Sequence, residues 1–91
     1  MKSENNNLIK ITMQVTMQVK QLILLLAGDE KRDVLQKKLN IKNRDYFRKA
    51  YIKEALFSEL IEMTIPDKPN SRFQKYRLTE KGKTLQKLLK K

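Results

Sequence analysis

The hydrophobic period of this chain changes once, and that change constrains the fold more than any other feature. In its first two-thirds the apolar side chains recur at helical spacing: Val15, Val19, Leu22 and Leu26 stand at i, i+4, i+7 and i+11. From Ile61 the period drops to two, because Ile61, Met63 and Ile65 alternate with Glu62 and Thr64, as the two faces of a strand require. Pro66 ends the run, and PDKPNS (66–71) is dense in turn-forming residues. A second strand is expected over about Phe73 to Leu78, with Tyr76 and Leu78 on one face. An isolated hairpin is at best marginally stable in water, so this one must lie against the helices that precede it.

Those helices have legible ends. The first is expected at roughly 15–27, where Leu22 to Ala27 are good helix formers and Gly28 is a natural stop. DEKRD (29–33) reads as a charged turn, and a second helix follows at about Arg32 to Leu39, burying Leu35 and Leu39. Asn40 suits a left-handed helix end, and Ile41 returns to the core. Asn43 is a good N-cap for a third helix, Arg44 to Ser58. Phe47, Ala50, Tyr51 and Ala55 form its inner stripe, with Ile52 and Leu56 off that stripe. Thr79 caps a last helix with Leu85, Leu88 and Leu89 on its apolar side. Gly82 lowers that helix's propensity and points to a close backbone approach.

Helix, helix, short turn, helix, hairpin, helix is a mainly α architecture with a β-hairpin (α+β). It predicts a winged helix-turn-helix with a three-helix core, a wing and a C-terminal helix. The core is expected from Leu22, Leu26, Leu35, Leu39, Phe47 and Tyr51, closed by Met63 and Tyr76. The domain is placed at 13–91, after a flexible linker at 1–12 that begins MKSENNN. Residues 8–19 alternate and repeat TMQV at 12–15 and 16–19. They read either as an interaction strand or, preferably, as linker running into helix 1.

The chemistry available is narrow. The chain has no cysteine and no histidine, so thiolate metal sites, disulfides and histidine-activated nucleophiles are excluded. Gly28 and Gly82 are its only glycines, so it has no phosphate-cradling loop. Asp29, Glu30 and Asp33 lack the spacing of a calcium loop and read as the acidic start of helix 2. No catalytic residue, metal or cofactor is expected, and the domain by itself is read as no enzyme. The longest apolar run, Leu22 to Ala27, is too short to span a bilayer, and the start resembles no signal peptide. The expected setting is cytoplasmic, with no membrane partner.

Charge directs the functional reading. The formal net charge is +11, and Lys68 to Lys91 holds nine basic residues against the single acid Glu80. Such a field attracts polyanions. In the expected fold the candidate nucleic-acid contacts are Lys42, Asn43, Arg44, Arg48, Lys49 and Lys53 around helix 3. Lys68, Asn70, Ser71, Arg72, Lys75 and Arg77 join them on the wing. Arginine reads guanine, asparagine reads adenine, and lysine neutralises phosphate. The partner expected is duplex DNA. Against this stand Asp45, Glu54 and Glu59 on helix 3. A solvated surface, or a module docking on other domains of its parent or on itself, is the competing reading. Arg72 is also placed to pair with Asp67, and Phe73 and Tyr76 are read as packing residues before base-stacking ones.

Leu60 to Lys83, LIEMTIPDKPNSRFQKYRLTEKGK, resembles the C-terminal winged-helix module of bacterial Fic-type proteins. It is similar as well to the module that ends RecG-related ATP-dependent DNA helicases and divergent-AAA, Schlafen-like ATP-binding transcriptional regulators. LQKKLNIKNRDYF (35–47) and YIKEAL (51–56) extend the resemblance, which covers about residues 12–90. The chain departs from the usual pattern where glycine is replaced by Asn40 and by Glu59, proline by Lys53, and a serine cap by Lys31. The resemblance implies a C-terminal piece of a larger bacterial regulator. Any adenylyl-transfer or ATP-dependent activity would then lie in preceding domains, and nucleic-acid binding in this one.

Overall fold

The computed structural model describes residues 15–90. The linker at 1–12 and the alternating segment before Val15 lie outside the described residues. Helix α1 is Met17–Leu25. It begins at Thr16, whose Oγ1 accepts the Val19 N–H at 3.1 Å, and so starts two residues later than the spacing predicts. Gly28 takes φ +63° just beyond its end, a left-handed conformation that glycine reaches without a Cβ clash.

Helix α2 is Arg32–Lys38, with no side-chain cap at Lys31. Its end closes with two backbone bonds, Asn40 N–H to Lys37 O at 2.9 Å and Ile41 N–H to Gln36 O at 3.1 Å. Asn40 stands at φ 58°. This is the paired closure that a left-handed residue permits, and it makes the short turn into α3. Leu39 is only half-buried, whereas Leu35 is fully buried.

Helix α3 spans 44–57 and is not uniform. Arg44–Phe47 is α-helical, Arg48–Lys53 is a π-helical stretch, and Glu54–Phe57 returns to α. Asn43 caps it, accepting the Tyr46 N–H at 2.8 Å. The π stretch explains a departure from the periodicity. At 3.6 residues per turn Ile52 falls off the stripe set by Phe47 and Tyr51. Bonding at i→i+5 brings residues five apart into line. Phe47, Tyr51, Ile52 and Ala55 are accordingly all buried.

The hairpin is shorter than expected. Strands β1, Ile61–Met63, and β2, Tyr76–Leu78, pair antiparallel with Ile61 opposite Leu78, Glu62 opposite Arg77 and Met63 opposite Tyr76. The alternation turns Ile61 and Tyr76 inward and leaves Glu62 and Arg77 exposed. Ile65 and Phe73 lie outside the ladder, and Phe73 is 60% exposed rather than packed. On the other edge of β2, Tyr76 exchanges both backbone bonds with Glu30, at 2.8 and 3.0 Å. The segment read as a charged turn therefore contributes a single bridging residue to the sheet.

Helix α4, Glu80–Leu89, starts on Thr79. The Thr79 hydroxyl accepts the Gly82 N–H at 3.0 Å and donates to the Glu59 carbonyl at 2.6 Å. The Leu60 carbonyl accepts the Thr79 N–H at 3.1 Å. Gly82 is buried directly against that carbonyl. Gln86 then donates to the carbonyls of Ile23 at 2.8 Å and Leu26 at 3.0 Å, tying α4 to the end of α1. One core results, in which Leu22, Ile23, Leu35, Phe47, Ala55 and Leu60 are fully buried.

Two outcomes follow from these helix junctions. A Cβ at Gly82 would overlap the Leu60 carbonyl, which is backbone and cannot swing away. Gly82→Ala should therefore lower the unfolding free energy in urea by roughly 3 kcal/mol, at the upper end of overpacking costs. Glu59 carries φ 60° at the end of α3, so Glu59→Gly should raise stability by about 0.5–1 kcal/mol. Unchanged or lower stability in Glu59→Gly would show that the left-handed cost is offset by contacts of the glutamate.

Candidate nucleic-acid interface

The start of α2, the first turns of α3 and the wing loop enclose an open groove of about 490 Å³. Its lining carries five cationic side chains (Lys31, Arg32, Arg44, Arg48, Arg72) and two carboxylates (Asp33, Asp45). Asn70 and Ser71 complete the wing side. The arginines of α3 reach this wall because Arg44 and Arg48 are four residues apart, one helical turn along the same side. Asp45 lies 3.7 Å from Arg48 and tempers its charge.

The wing side is held rigid by a residue that the periodicity did not single out. Gln74 is 6% exposed. Its Oε1 accepts the Ile65 N–H at 2.8 Å, and its Nε2 donates to the carbonyls of Ile65 at 2.6 Å and Lys68 at 3.1 Å. Successive backbone bonds, Lys68 to Ile65, Ser71 to Lys68 and Gln74 to Ser71, coil the loop into three consecutive tight turns. The Ser71 Oγ accepts the Phe73 N–H at 3.1 Å. At the surface the Arg72 guanidinium lies 5.0 Å from the centre of the Phe73 ring, a cation–π arrangement in place of the expected pair with Asp67.

Of the residues expected from the sequence, Arg44, Arg48, Asn70, Ser71 and Arg72 come together on this groove. Lys42, Lys49, Lys53, Lys68 and Lys75 are exposed but do not line it. Asn43 is committed to capping α3 through its side-chain oxygen, which removes it as a free adenine reader. Arg77 bonds Glu62 at 2.6 Å across the hairpin, on the strand face away from the core. That hydrogen bond and the Glu62 charge push the guanidinium pKa further up. The geometry adds Lys31 and Arg32, which lie within the stretch DEKRD (29–33) that reads as a charged turn.

The neighbouring acid has a structural duty. Glu30 bridges β2 with its backbone while its carboxylate accepts the Ala27 N–H at 3.0 Å and pairs with Lys38. Burial raises its pKa, but the Lys38 and Ala27 hydrogen bonds with the Lys38 charge outweigh that, so it settles below the ordinary range. Glu30 is thereby spent inside the fold rather than opposing the groove. Among the described residues, no three metal-ligating side chains come together, and no helix is long and apolar enough to cross a membrane.

Residues 17–79 match the family model described as the C-terminal domain of Filamentation induced by cAMP protein Fic-like. The chain belongs to the Fic-like C-terminal domain family. The fold is similar to part of a crystal structure of a Fic family protein from Desulfovibrio desulfuricans G20. The TM-score is 0.69 and the identity 37%; the match covers 82% of this chain and 23% of that one. This Fic-like domain thus spans under a quarter of that relative's length. No curated protein matches it.

Within the Fic-like domain the geometry of the wing depends on Gln74. Gln74→Ala should speed hydrogen exchange at the Ile65 amide by tenfold or more and cost about 1 kcal/mol of stability, since it strands half-buried backbone groups of the loop. An Ile65 amide that exchanges at the wild-type rate would show that the loop holds its shape without the glutamine.

Proposed function

We propose that this Fic-like domain is a nucleic-acid-binding winged helix that holds duplex DNA, and that it serves a larger Fic-type protein as its targeting module. The observation that carries the reading is the groove shared by α2, α3 and the wing, where five cations face two carboxylates. In a winged helix the third helix enters the major groove while cations beside it and on the wing meet the phosphates. Arg44 and Arg48 are the side chains placed for base edges, and Lys31, Arg32 and Arg72 for the backbone. The domain contributes binding and no chemistry of its own in this reading. Any adenylyl transfer belongs to the rest of the parent, in the cytoplasm. Of the parents that the sequence resembles, the Fic type has the support of the family match and the crystal relative. The RecG-related and ATP-binding parents rest on the sequence resemblance alone.

A second reading, docking on another domain of the parent, is favoured by Phe57. This side chain is 86% exposed at the end of α3, where covering its ring would remove apolar surface from water. Phe57→Ser should leave duplex binding unchanged if the first reading holds.

Fluorescence anisotropy of a labelled duplex, titrated across salt, tests the proposal. Neutralising about four phosphates predicts a roughly hundredfold loss of affinity between 50 and 200 mM salt. Arg44→Glu combined with Arg72→Glu should weaken binding at least tenfold at unchanged Tm. Absence of binding at low salt, or an affinity indifferent to salt, would overturn it.

A further inference from the structure

The outer face of the wing carries a pattern that the groove does not use. Phe73, Lys75 and Arg77 are exposed, while Gln74 and Tyr76 between them are buried. Gln74 and Tyr76 line the groove, whereas Phe73 and Lys75 do not. The outer stripe is therefore an aromatic ring followed by two cations, of which Arg77 is held by Glu62. A lone exposed phenylalanine needs no explanation, but the backbone of this one is fixed on both sides. Its N–H donates to the Ser71 Oγ at 3.1 Å, and the next residue, Gln74, anchors the loop through its hydrogen bonds to Ile65 and Lys68. The Arg72 guanidinium lies 5.0 Å from the ring centre, yet Phe73 stays 60% exposed. A flat apolar ring is thus held within a basic surface, open to a further partner.

We propose that this outer face binds a strand that has left the duplex, with an unpaired base stacked on Phe73 and its phosphate beside Lys75. The inference rests on the nucleic-acid reading and adds to it a preference for a duplex that ends in a single-stranded extension. Aromatic rings next to cations hold unpaired strands, because every base has a face on which to stack. The bases of an intact duplex are already stacked on each other. To reach one of them the Phe73 ring would have to unstack it, at a cost that an unpaired base does not carry. Phe73 also lies outside the groove proposed to hold the duplex, so a strand meets it only after leaving the paired region. The ring has no hydrogen-bonding atom, so it adds affinity without reading sequence.

Anisotropy with labelled probes of one sequence tests this: a blunt duplex, the same duplex with a short single-stranded extension, and the single strand. A fluorescent purine analogue in the extension reports stacking directly, since stacking on an aromatic ring quenches it. The wild type is expected to bind the extended duplex about tenfold tighter than the blunt one, and to quench the purine. Phe73→Ala should lose that preference while keeping its affinity for the blunt duplex and its Tm. Phe73→Trp should retain the preference. Equal wild-type affinity for the blunt and extended duplexes overturns the inference and spares the DNA reading. So does a preference that survives Phe73→Ala, or an equal loss for both duplexes in that variant. Binding of the single strand without the blunt duplex sustains the stacking face and removes the duplex reading. No binding to any probe removes both. Should Phe73→Ala fail to fold, the wild-type purine signal decides, and an unquenched purine on a bound probe overturns the stack.

Discussion

The Leu60 carbonyl is the point on which the rest of the structure depends. It takes the Thr79 N–H and lies against the Gly82 backbone, while the Thr79 hydroxyl binds the Glu59 carbonyl beside it. Helix α3 therefore ends, the hairpin returns and α4 begins within one small cluster of backbone groups. Each of these carbonyls would otherwise be an unpaired acceptor at a helix end. Because both feet of the hairpin are fixed here, the wing has one direction in which to leave the core. The Lys81 ammonium adds a bond to the Ser58 carbonyl at 3.1 Å.

From that anchor the sheet sets the groove. β2 is held on one edge by β1 and on the other by Glu30, so the segment before α2 is drawn up to the wing. This is why Lys31 and Arg32 face Arg72 and Asn70 across one cleft. Glu30 is close enough to weaken the field, but its carboxylate is 11% exposed and engaged with Lys38 and Ala27. Exposed charges act over about a Debye length, roughly 8–10 Å at ordinary salt. A groove that gathers five cations within a single cleft is thus a stronger attractor than the same residues scattered on a surface.

The helix ends of this Fic-like domain show how single residues set local backbone geometry. Glu59 and Asn40 are the two non-glycine residues with positive φ among the described residues. Both end helices with the same pair of backbone bonds. Asparagine bears that conformation at little cost and glutamate at more. Lys31 leaves the start of α2 without a side-chain cap bond and puts a cation on the groove lining.

The element types and most of their ends were legible in the residues themselves. The change of period near Ile61, the caps Asn43 and Thr79, the left-handed Asn40 and the crowded Gly82 all act within a few positions of their cause. Local pattern can carry such information because the interactions involved are local. The groove was legible only in part: Arg44, Arg48 and Arg72 follow from exposure on a helix and a loop, whereas Arg32 does not. Tertiary structure alone decided the pairing of Glu30 with Tyr76, the burial of Gln74 under the wing and the return of Ile52 to the core. Each of these joins segments distant in sequence, or bends the helical repeat to satisfy packing. No window of neighbouring residues contains the partner that determines the outcome.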